Sequence, residues 1–457
     1  MTDDNVHDLP SALRFLDRHV NLEAAAGRIH GLSLDAMRGL TDVMGRPQLD
    51  VRTVHVTGTN GKGSVSAMVS SLLVAAGLRV GGYSSPHVDT VRERLTMNGE
   101  WITEEAFTEL VADLERYAGA APERPSYFEL LTAAALLWFS NEAVSAAVVE
   151  VGLLGRYDAT NVIDSDVSVV TNIGRDHTDG TGDWRRDVAS EKAGIIRAGR
   201  PLVLGETSIE LREVFVAEAP EPVLARGVDF GVRSTERAVG GQLIDFWTPG
   251  GEQSEMFLPL HGDHQADNVA VALTAAEAFL DAPLADDVVV EGLASVRVPG
   301  RLEVACAEPL VVLDGAHNPE AVRALAVAVP EVFPAARRIV VVGCLGPREP
   351  YEVFDELVAL APDLVVACTA PSPRAVRAAD LATLARERRM DVEVVPDAVD
   401  AVRLAVSVAD EADVVVVTGS FYVLSSAREA LASMDGTGMG GAGMDGADTD
   451  GDSMDGP

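Results

Sequence analysis

The sequence predicts an α/β protein whose sheets are largely parallel, and three observations support this fold class. Short Val-rich segments alternate with Ala- and Leu-rich segments over most of the 457 residues. The Val-rich segments are almost continuously apolar, which is typical of parallel strands buried on both faces. A glycine-rich turn joins the first of them to a long helical segment. The predicted strands lie at 52–58, 145–152, 166–174, 337–344, 363–369 and 412–420.

The first predicted strand leads into a candidate phosphate-binding loop. The stretch "VHVTGTNGKGSVSAMVSSLLVAAG" (54–77) places Gly58–Ser64 before a helix with an apolar stripe at i, i+3, i+4 and i+7 spacing. Backbone N–H groups of such a turn can hold phosphates, and Lys62 adds a compact positive charge. The spacing departs from the common G-x4-G-K-[ST] pattern, because residue 56 is Val and Gly63 separates Lys62 from Ser64. The alternative is a tight βα turn with an incidental lysine.

The next two strands end at residues suited to metal binding. Glu150 lies within a buried-looking strand, where an isolated carboxylate costs several kcal/mol unless it is paired or metal-bound. A second Val-rich strand leads to His177, whose alternative role is a hydrogen bond to the backbone. Ligands gather at the carboxyl ends of parallel strands. We therefore expect Glu150 and His177, with hydroxyls of Ser64 or Ser85, to converge on Mg²⁺ beside the phosphate loop.

Later segments predict the domain organisation. A chain of this length exceeds one ordinary core, so two or three domains are expected. In residues 225–260, apolar and polar residues alternate and Gly recurs, which suggests an antiparallel appendage. A Pro-Gly break near 297 precedes a second series of alternating strands and helices. We predict a first domain at 1–296 and a second at 297–433. Residues 434–457 are Gly, Asp and Met repeats, and we expect a disordered acidic tail.

The amino-acid composition limits the classes of molecule that the protein is expected to bind. Asp and Glu number 71 against 36 Lys and Arg, and the formal charge of −35 would repel nucleic acid and anionic membranes. Such a charge suits a cytosol of molar salt, so we favour a halophile's solubility device over an acidic partner-binding face. The sequence shows neither a signal peptide nor a spanning apolar run, and we expect a cytoplasmic monomer. Cys306, Cys344 and Cys368 lie in apolar or strand-like runs and are expected to be reduced core residues.

Ten motifs occur in order from about residue 50 to 424. They are GTNGKGS, YSSPHVDTVRERLTMNG, SYFELLTAAAL, EVGLLGRYDATN, DHTD, SEKAGII, GDHQADN, VPGRLEV, LDGAHNP and TGSFYV. Together they resemble the Mur ligase family of ATP-dependent amide-bond synthetases, and they are similar above all to its folylpolyglutamate synthase/dihydrofolate synthase branch. The resemblance implies a P-loop-containing central domain with a parallel-rich sheet and a Rossmann-like C-terminal α/β domain.

The resemblance also implies an activity. It is ATP-dependent addition of L-glutamate to dihydropteroate, to folate or to both, through an acyl phosphate and with two Mg²⁺ ions. One alternative is a Mur-type amino-acid ligase that acts on another carboxylate precursor. A second is an ATP-binding regulatory module that has lost the chemistry, although the presence of Lys62, Glu150, His177 and Lys192 argues against it.

The resemblance implies roles for individual residues, beginning with the two lysines of the chain, Lys62 and Lys192. Lys192 would be carbamoylated by CO2, a reaction that needs a neutral amine and is closed to arginine; the alternative is an ordinary ion pair with Glu191. Lys62, Lys192 and His317 are the implied catalytic residues. The implied ATP contacts are Gly58, Thr59, Asn60, Gly61, Lys62, Gly63, Ser64, Asn268, Arg301 and Asp314. The implied metal ligands are Ser64, Ser85 and Glu150 for one ion and His177 and Lys192 for the other.

The pterin-carrying substrate is expected to bind an aromatic and acidic set of residues, since such a pair suits a flat heterocycle with N–H donors. The set implied by the resemblance is Ser126, Tyr127, Phe128, Glu129, Tyr157, Asp158 and Ala159. Three departures from the family pattern stand out. Leu154 replaces a usual Gly, Tyr157 replaces a common Leu, and Pro347-Arg348-Glu349 replaces Asp-Lys-Asp.

Overall fold

The computed structural model describes residues 5–21, 33–175, 182–346 and 350–435, and its secondary structure alternates between strands and helices. The strands are β1 (Thr53–Thr57), β2 (Val80–Tyr83), β3 (Leu95–Met97), β4 (Glu100–Trp101), β5 (Ala146–Glu150), β6 (Val167–Val170), β7 (Leu202–Leu204), β8 (Val223–Ala225), β9 (Gly231–Ala238), β10 (Gly241–Thr248), β11 (Gly251–Leu258), β12 (Glu303–Ala307), β13 (Leu310–Leu313), β14 (Arg338–Val342), β15 (Leu364–Ala367), β16 (Val392–Val394) and β17 (Val414–Thr418).

The helices cover both faces of the sheets that these strands form. They are α1 (Leu9–Asp17), α2 (Asp35–Val43), α3 (Lys62–Ala75), α4 (Glu104–Ala120), α5 (Tyr127–Asn141), α6 (Trp184–Ala193), α7 (Ile209–Val216), α8 (Asp263–Leu280), α9 (Asp286–Ala294), α10 (Pro319–Val332), α11 (Pro350–Leu357), α12 (Ala378–Glu387), α13 (Ala398–Ser407) and α14 (Phe421–Asp435). Short 3₁₀ turns lie at Pro47–Leu49, Val91–Arg94, Ala159–Val162 and Val358–Leu360.

The first sheet has eight strands in the order β4-β3-β2-β5-β1-β6-β7-β8. The six strands from β2 to β8 in this order are parallel, whereas β3 and β4 form an antiparallel edge. Every residue of β1 and β5 is buried, including the polar Thr53, His55, Thr57 and Glu150, because these central parallel strands are covered on both faces. Val56 pairs with both Glu150 and Val169. The carboxyl ends of β1, β5 and β6 therefore meet at one edge of the sheet.

Three hydrophobic cores pack against this sheet. One buries α3, α8 and α9 together with β9–β11, and a second buries α4 and α5 together with residues of α1 and α2. The third and smallest buries α6 and α7 against β6 and β7. The strands β9, β10 and β11 form a separate antiparallel sheet, which confirms the predicted appendage at 225–260. Its inward residues, such as Phe246, alternate with half-buried ones, because one face packs on the domain and the other faces water.

The second sheet has six strands in the order β12-β13-β17-β14-β15-β16, and all but β12 are parallel. Helices α10, α11 and α12 pack on one face, while α13 and α14 pack on the other. The predicted α/β class with two parallel-rich sheets is thus confirmed. The domain boundary at 297 stays a prediction; it falls in the connection between α9 and β12.

Two smaller expectations concern cysteines and termini. Cys344 and Cys368 are buried and form no disulfide within the described part of the chain, as predicted, whereas Cys306 is only half-buried. Within the described ranges, no helix is long and apolar enough to cross a bilayer. The tail predicted at 434–457 lies, apart from its first two residues, outside the described residues.

Candidate active site

The loop between β1 and α3 has a backbone that requires glycine at two positions. Gly58 and Gly61 have φ values of +149° and +81°. A Cβ atom on Gly58 would lie 1.8 Å from Thr171 Oγ1, and one on Gly61 would lie 2.6 Å from Asn268 Oδ1. Among the described residues, no side chain caps the start of α3, so its first N–H groups are available to a ligand. The loop therefore has the close approach and the free donors that a phosphate site needs.

The residues that follow β6 hold this loop in place. The backbone N–H of Thr59 donates to the carbonyl of Asn172 at 3.0 Å, and that of Asn60 donates to Asn172 Oδ1 at 3.0 Å. Thr171 Oγ1 donates to the Asn60 carbonyl at 2.6 Å. Sequence reasoning missed Thr171 and Asn172, although short polar residues at the end of a buried strand are a usable signal.

The two lysines of the chain meet at the same backbone atom. Lys62 Nζ donates to the Gly58 carbonyl at 3.2 Å, and Lys192 Nζ donates to the same oxygen at 2.7 Å. Lys192 lies near the end of α6 and is only 3% exposed. The structure thus brings together two residues that are 130 positions apart in the sequence, at the phosphate loop where the motifs placed them.

Glu150 lies at the carboxyl end of β5 and faces the start of α3. Its Oε2 accepts a hydrogen bond from the Ser85 N–H at 3.3 Å and would lie 3.6 Å from a Cβ atom on Gly63. Burial raises the pKa of the Glu150 carboxyl, whereas the charge of Lys62 opposes that rise. A buried carboxylate beside a phosphate loop is therefore stabilised by any further cation that binds there.

These donors fit a hard divalent cation. Glu150 offers a carboxylate, and Ser85 and the buried Ser64 offer hydroxyls at the same edge of the sheet. Mg²⁺ is usually held by one or two carboxylates together with substrate phosphates, so a full protein cage is not needed. Within the described ranges, no three His, Cys, Asp or Glu side chains cluster as a metal site. The predicted ligand His177 lies outside the described residues.

The second sheet contributes charged residues that face the same site. Asp314 follows β13 and accepts hydrogen bonds from the N–H groups of Leu302 at 3.0 Å and Ala316 at 2.8 Å. Burial raises the pKa of Asp314, and the charge of Arg301 opposes it. Arg301 lies over the ring of Phe421, 4.8 Å from its centroid, and its charge also lowers the pKa of Glu150. The charge of Arg301 therefore acts on a carboxylate from each sheet, Glu150 from the first and Asp314 from the second.

Two further predicted residues lie nearby. Asn268 is buried in α8 against Gly61 and donates to Gln265 at 3.0 Å. His317 follows Asp314 by three residues, and its Nδ1 lies 2.6 Å from the Gly315 carbonyl. A carbonyl accepts, so Nδ1 carries the proton and Nε2 is the ring nitrogen that can face a reacting group.

The predicted substrate residues lie on α5 and on the loop 152–158. Phe128 packs against this loop so closely that a Cβ atom on Gly152 would lie 2.3 Å from its ring. Tyr127 is buried, with the Arg94 guanidinium 6.0 Å from its ring centroid, whereas Tyr157 is 45% exposed. The ring of Phe128 thus borders the loop and offers an aromatic face beside it.

The two predicted acidic residues have backbone partners. Glu129 Oε2 accepts from both the N–H and the hydroxyl of Ser126 at 2.7 Å, which completes a capping box at the start of α5. Asp158 accepts from the N–H groups of Leu153 at 2.7 Å and Thr160 at 3.0 Å, and burial raises its pKa. Ala159 is buried at the start of the turn that Asp158 caps. Both carboxylates therefore order local backbone, which sequence reasoning did not foresee.

The backbone conformation at Leu154 shows what one departure from the family pattern costs. Its φ of +58° is in the left-handed region, where a side chain costs ~1–2 kcal/mol relative to glycine. Its carbonyl accepts from Thr57 Oγ1 at 2.7 Å, which joins the loop to the end of β1. The family's glycine suits this backbone, and Leu154 adopts it at a cost. The departure at 347–349 lies outside the described residues.

Comparison with known proteins agrees with this geometry. The family model "Mur ligase middle domain" matches residues 56–276, and the model "Mur ligase, glutamate ligase domain" matches residues 300–421. The dihydrofolate synthase/folylpolyglutamate synthase of Mycobacterium tuberculosis is 37% identical over 437 residues, which cover 87% of this chain and 89% of that protein. The chain belongs to the Mur ligase family. Its relatives place it in the folylpolyglutamate synthase/dihydrofolate synthase branch.

Solved structures of this Mur ligase branch share the fold over nearly the whole chain. Mycobacterium tuberculosis folylpolyglutamate synthase complexed with ADP has a TM-score of 0.86 at 34% identity, covering 92% of this chain and 97% of that one. Escherichia coli FolC in complex with DHPP and ADP has a TM-score of 0.83 at 29% identity, covering 94% and 99%. At these identities the likeness extends to the arrangement of the Mur ligase middle and glutamate ligase domains.

Proposed function

We propose that this chain is an ATP-dependent ligase that adds L-glutamate to dihydropteroate, to a folate or to both, through an acyl phosphate. The observation that carries the proposal is the meeting of Lys62 and Lys192 at Gly58, beside Glu150. Phosphoryl transfer needs little more than positioning and charge, and this edge of the sheet supplies both. Relatives and structures with the same branch name support the acceptor and the amino acid.

The chain's own residues would act in sequence. The N–H groups of the phosphate loop and Lys62 hold the ATP phosphates, and Asn268, Arg301 and Asp314 hold the rest of the nucleotide. The acceptor carboxylate attacks the γ-phosphorus, ADP leaves, and an acyl phosphate results. The glutamate amine then attacks the acyl carbon and inorganic phosphate leaves, with His317 near the reacting atoms. Mg²⁺, when bound, offsets the negative charge that gathers on the phosphoryl oxygens.

A carbamate on Lys192 is part of this proposal. Two ammonium groups within hydrogen-bond distance of one carbonyl repel each other in a buried site. Addition of CO2 to the Lys192 amine would replace its positive charge with a negative one beside Lys62. It would also supply oxygen ligands for a second Mg²⁺ together with His177. Glu150, Ser64 and Ser85 would hold the first ion.

Phe128, Tyr127 and the loop 152–158 are proposed to bind the pterin ring, since the aromatic face of Phe128 borders that loop. We also propose that residues 297–433 close as a unit over the nucleotide. This would exclude the water that competes with glutamate for the acyl phosphate. A cytoplasmic monomer that binds only small molecules remains our expectation.

Product analysis tests the function. The purified protein, ATP, Mg²⁺ and L-glutamate are incubated in high salt with dihydropteroate, with tetrahydrofolate, or with a nucleotide-linked sugar peptide. We expect a product heavier by one or more glutamyl residues from the first or second acceptor, and ADP in equal amount. Glutamyl transfer to the sugar peptide alone would contradict the proposal and identify a Mur-type ligase of another acceptor class.

A further inference from the structure

The start of α10, in the second domain, contacts the phosphate loop of the first. Asn318 caps this helix, since its Oδ1 accepts from the Ala321 N–H at 2.9 Å. The cap fixes the orientation of the amide, so Nδ2 faces away from the helix. Nδ2 donates to Asn60 Oδ1 at 2.8 Å, and Asn60 Nδ2 lies 3.4 Å from Asn318 Oδ1. Asn318 is 2% exposed, so the pair is sheltered from water.

Asn60 is held on its other side by the first domain. Its carbonyl accepts from Thr171 Oγ1 at 2.6 Å and from Asn172 Nδ2 at 3.1 Å, and its N–H donates to Asn172 Oδ1. The residue therefore has little freedom to turn towards a displaced partner. The amide pair forms when α10 lies where the structure has it, and a shift of α10 would break it.

A second contact from the same helix end reaches the loop after β6. Glu320 Oε1 accepts from the Arg175 N–H at 3.1 Å, and the Arg175 guanidinium pairs with Glu352 of α11. A Cβ atom on Gly174 would lie 3.2 Å from Thr59 Cγ2 and 3.4 Å from Glu320 Cδ. The phosphate loop, the end of β6 and the start of α10 are thus packed in contact, with Arg175 next to the segment that carries His177.

We propose that the Asn318–Asn60 amide pair is the contact by which the second domain positions the phosphate loop for transfer. Asn318 is then a positioning residue. It holds the phosphate loop in its binding conformation when the second domain closes the cleft and excludes water. This inference rests on the proposed ligase function. It predicts that loss of the pair weakens nucleotide binding and also lets water reach the acyl phosphate before glutamate does.

Four variants test the pair. Asn318→Ser keeps a good helix cap and removes the amide donor, and Asn60→Ala removes the partner. The double variant measures their coupling. The matched control is Arg237→Gln, which breaks a contact at the far end of the same helix. There Arg237 donates to the Glu331 carbonyl at 2.7 Å and pairs with its carboxylate at 3.3 Å.

Two readouts are taken from the folded proteins: calorimetric affinity for a non-hydrolysable ATP analogue, and phosphate released per glutamyl amide formed. We expect each single variant to bind the analogue about 3- to 10-fold more weakly, the range of one neutral hydrogen bond. The ratio of phosphate to amide should roughly double or rise further. The double variant should lose no more than the worse single variant. Arg237→Gln should match the wild type in both readouts.

Three results would overturn the inference: wild-type affinity and ratio in the single variants, losses that multiply in the double variant, or equal losses in Arg237→Gln. If Asn318→Ser does not fold, Asn318→Thr, which also keeps a helix cap and removes the amide donor, replaces it and decides by the same criteria. Nucleotide affinity needs no acceptor. A wild type that forms no glutamyl product therefore contradicts the proposed function, while the affinities still decide on the amide pair.

Discussion

Lys192 and Glu150 show at the residue scale how burial and charge select residue types. An arginine cannot add CO2, and its planar group does not replace a compact ammonium at a single carbonyl. Lys192 occupies such a position, with its Nζ 2.7 Å from the Gly58 carbonyl. Glu150 is buried, accepts a hydrogen bond from one backbone N–H, and lies near three cations, Lys62, Arg301 and Arg94. Because burial opposes its ionised form, its negative charge is best stabilised when a ligand also interacts with it.

Lys192→Arg should lower kcat by about 100-fold or more, because a lost metal-holding group removes several kcal/mol of transition-state stabilisation. Steady-state assays in buffer with and without bicarbonate check this, and activity of the wild type should rise when bicarbonate is restored. Glu191→Gln is the matched control and should retain most activity. An arginine variant with wild-type kcat would exclude the carbamate.

Glu150→Gln should abolish most activity and leave stability equal or higher at neutral pH. Burial raises the pKa of Glu150 above its unfolded value, so the ionised carboxylate opposes folding once the pH exceeds the unfolded pKa. The wild type loses this penalty as the pH falls and the folded carboxyl gains a proton. Thermal unfolding without Mg²⁺ should therefore show a Tm advantage of the variant that shrinks towards acidic pH. A variant that is less stable at pH 7 would contradict this account.

At the scale of elements, the sequence predicts six strands from their Val-rich runs and misses shorter strands, including the interior strands β2, β7 and β13. All six strands predicted from Val-rich runs are present, although each is shorter than its run. The residues beyond the strand ends belong to the site: Asn172 and Gly174 after β6, and Gly152 after β5. Strands such as β4 and β8 have only two or three residues, which is too short for a recognisable run, and pairing with a neighbouring strand holds them in the sheet.

Variants at the capping box of α5 can distinguish a structural role of Glu129 from a role in substrate binding. Glu129→Ala should destabilise the fold by about 1 kcal/mol, whereas Glu129→Gln preserves the reciprocal bonds with Ser126. If Glu129 acts through the cap alone, Glu129→Gln should keep both the wild-type Tm and the wild-type KM for the pterin substrate. A several-fold higher KM at unchanged Tm would instead assign the carboxylate to the substrate. Thermal unfolding and initial-rate measurements together make the distinction.

At the scale of the whole molecule, the sequence indicates which motifs form the site but not how the two sheets meet. Strand-end logic places Glu150 and Lys62 together, because parallel strands end at one edge. Arg301, Asp314 and Asn318 approach the phosphate loop because the two domains pack together. No local sequence pattern predicts that packing. The Asn318–Asn60 pair joins residues 258 positions apart; the motifs GTNGKGS and LDGAHNP contain one residue each, but neither motif predicts the contact between them.

The net charge of −35 belongs to the folded surface as a whole. Many arginines pair with carboxylates, including Arg337 with Asp413 and Arg428 with Glu303, yet acidic groups remain in large excess. Salt shortens the screening length from ~10 Å at 0.1 M to ~3 Å at 1 M and weakens this self-repulsion. We expect Tm to rise steadily between low and molar KCl, measured by calorimetry. A Tm that is flat or falls over this range would contradict the halophile interpretation.

The most direct test of the account follows oxygen through the reaction. The acceptor is prepared with ¹⁸O in the carboxylate that becomes the amide, and inorganic phosphate is analysed by mass after complete turnover. Because the carboxylate oxygen that attacks the γ-phosphorus leaves with the phosphate, the account predicts one labelled oxygen per phosphate for each amide formed. Glutamyl product accompanied by unlabelled phosphate would contradict the acyl phosphate, and with it the role assigned to Lys62, Glu150 and Lys192.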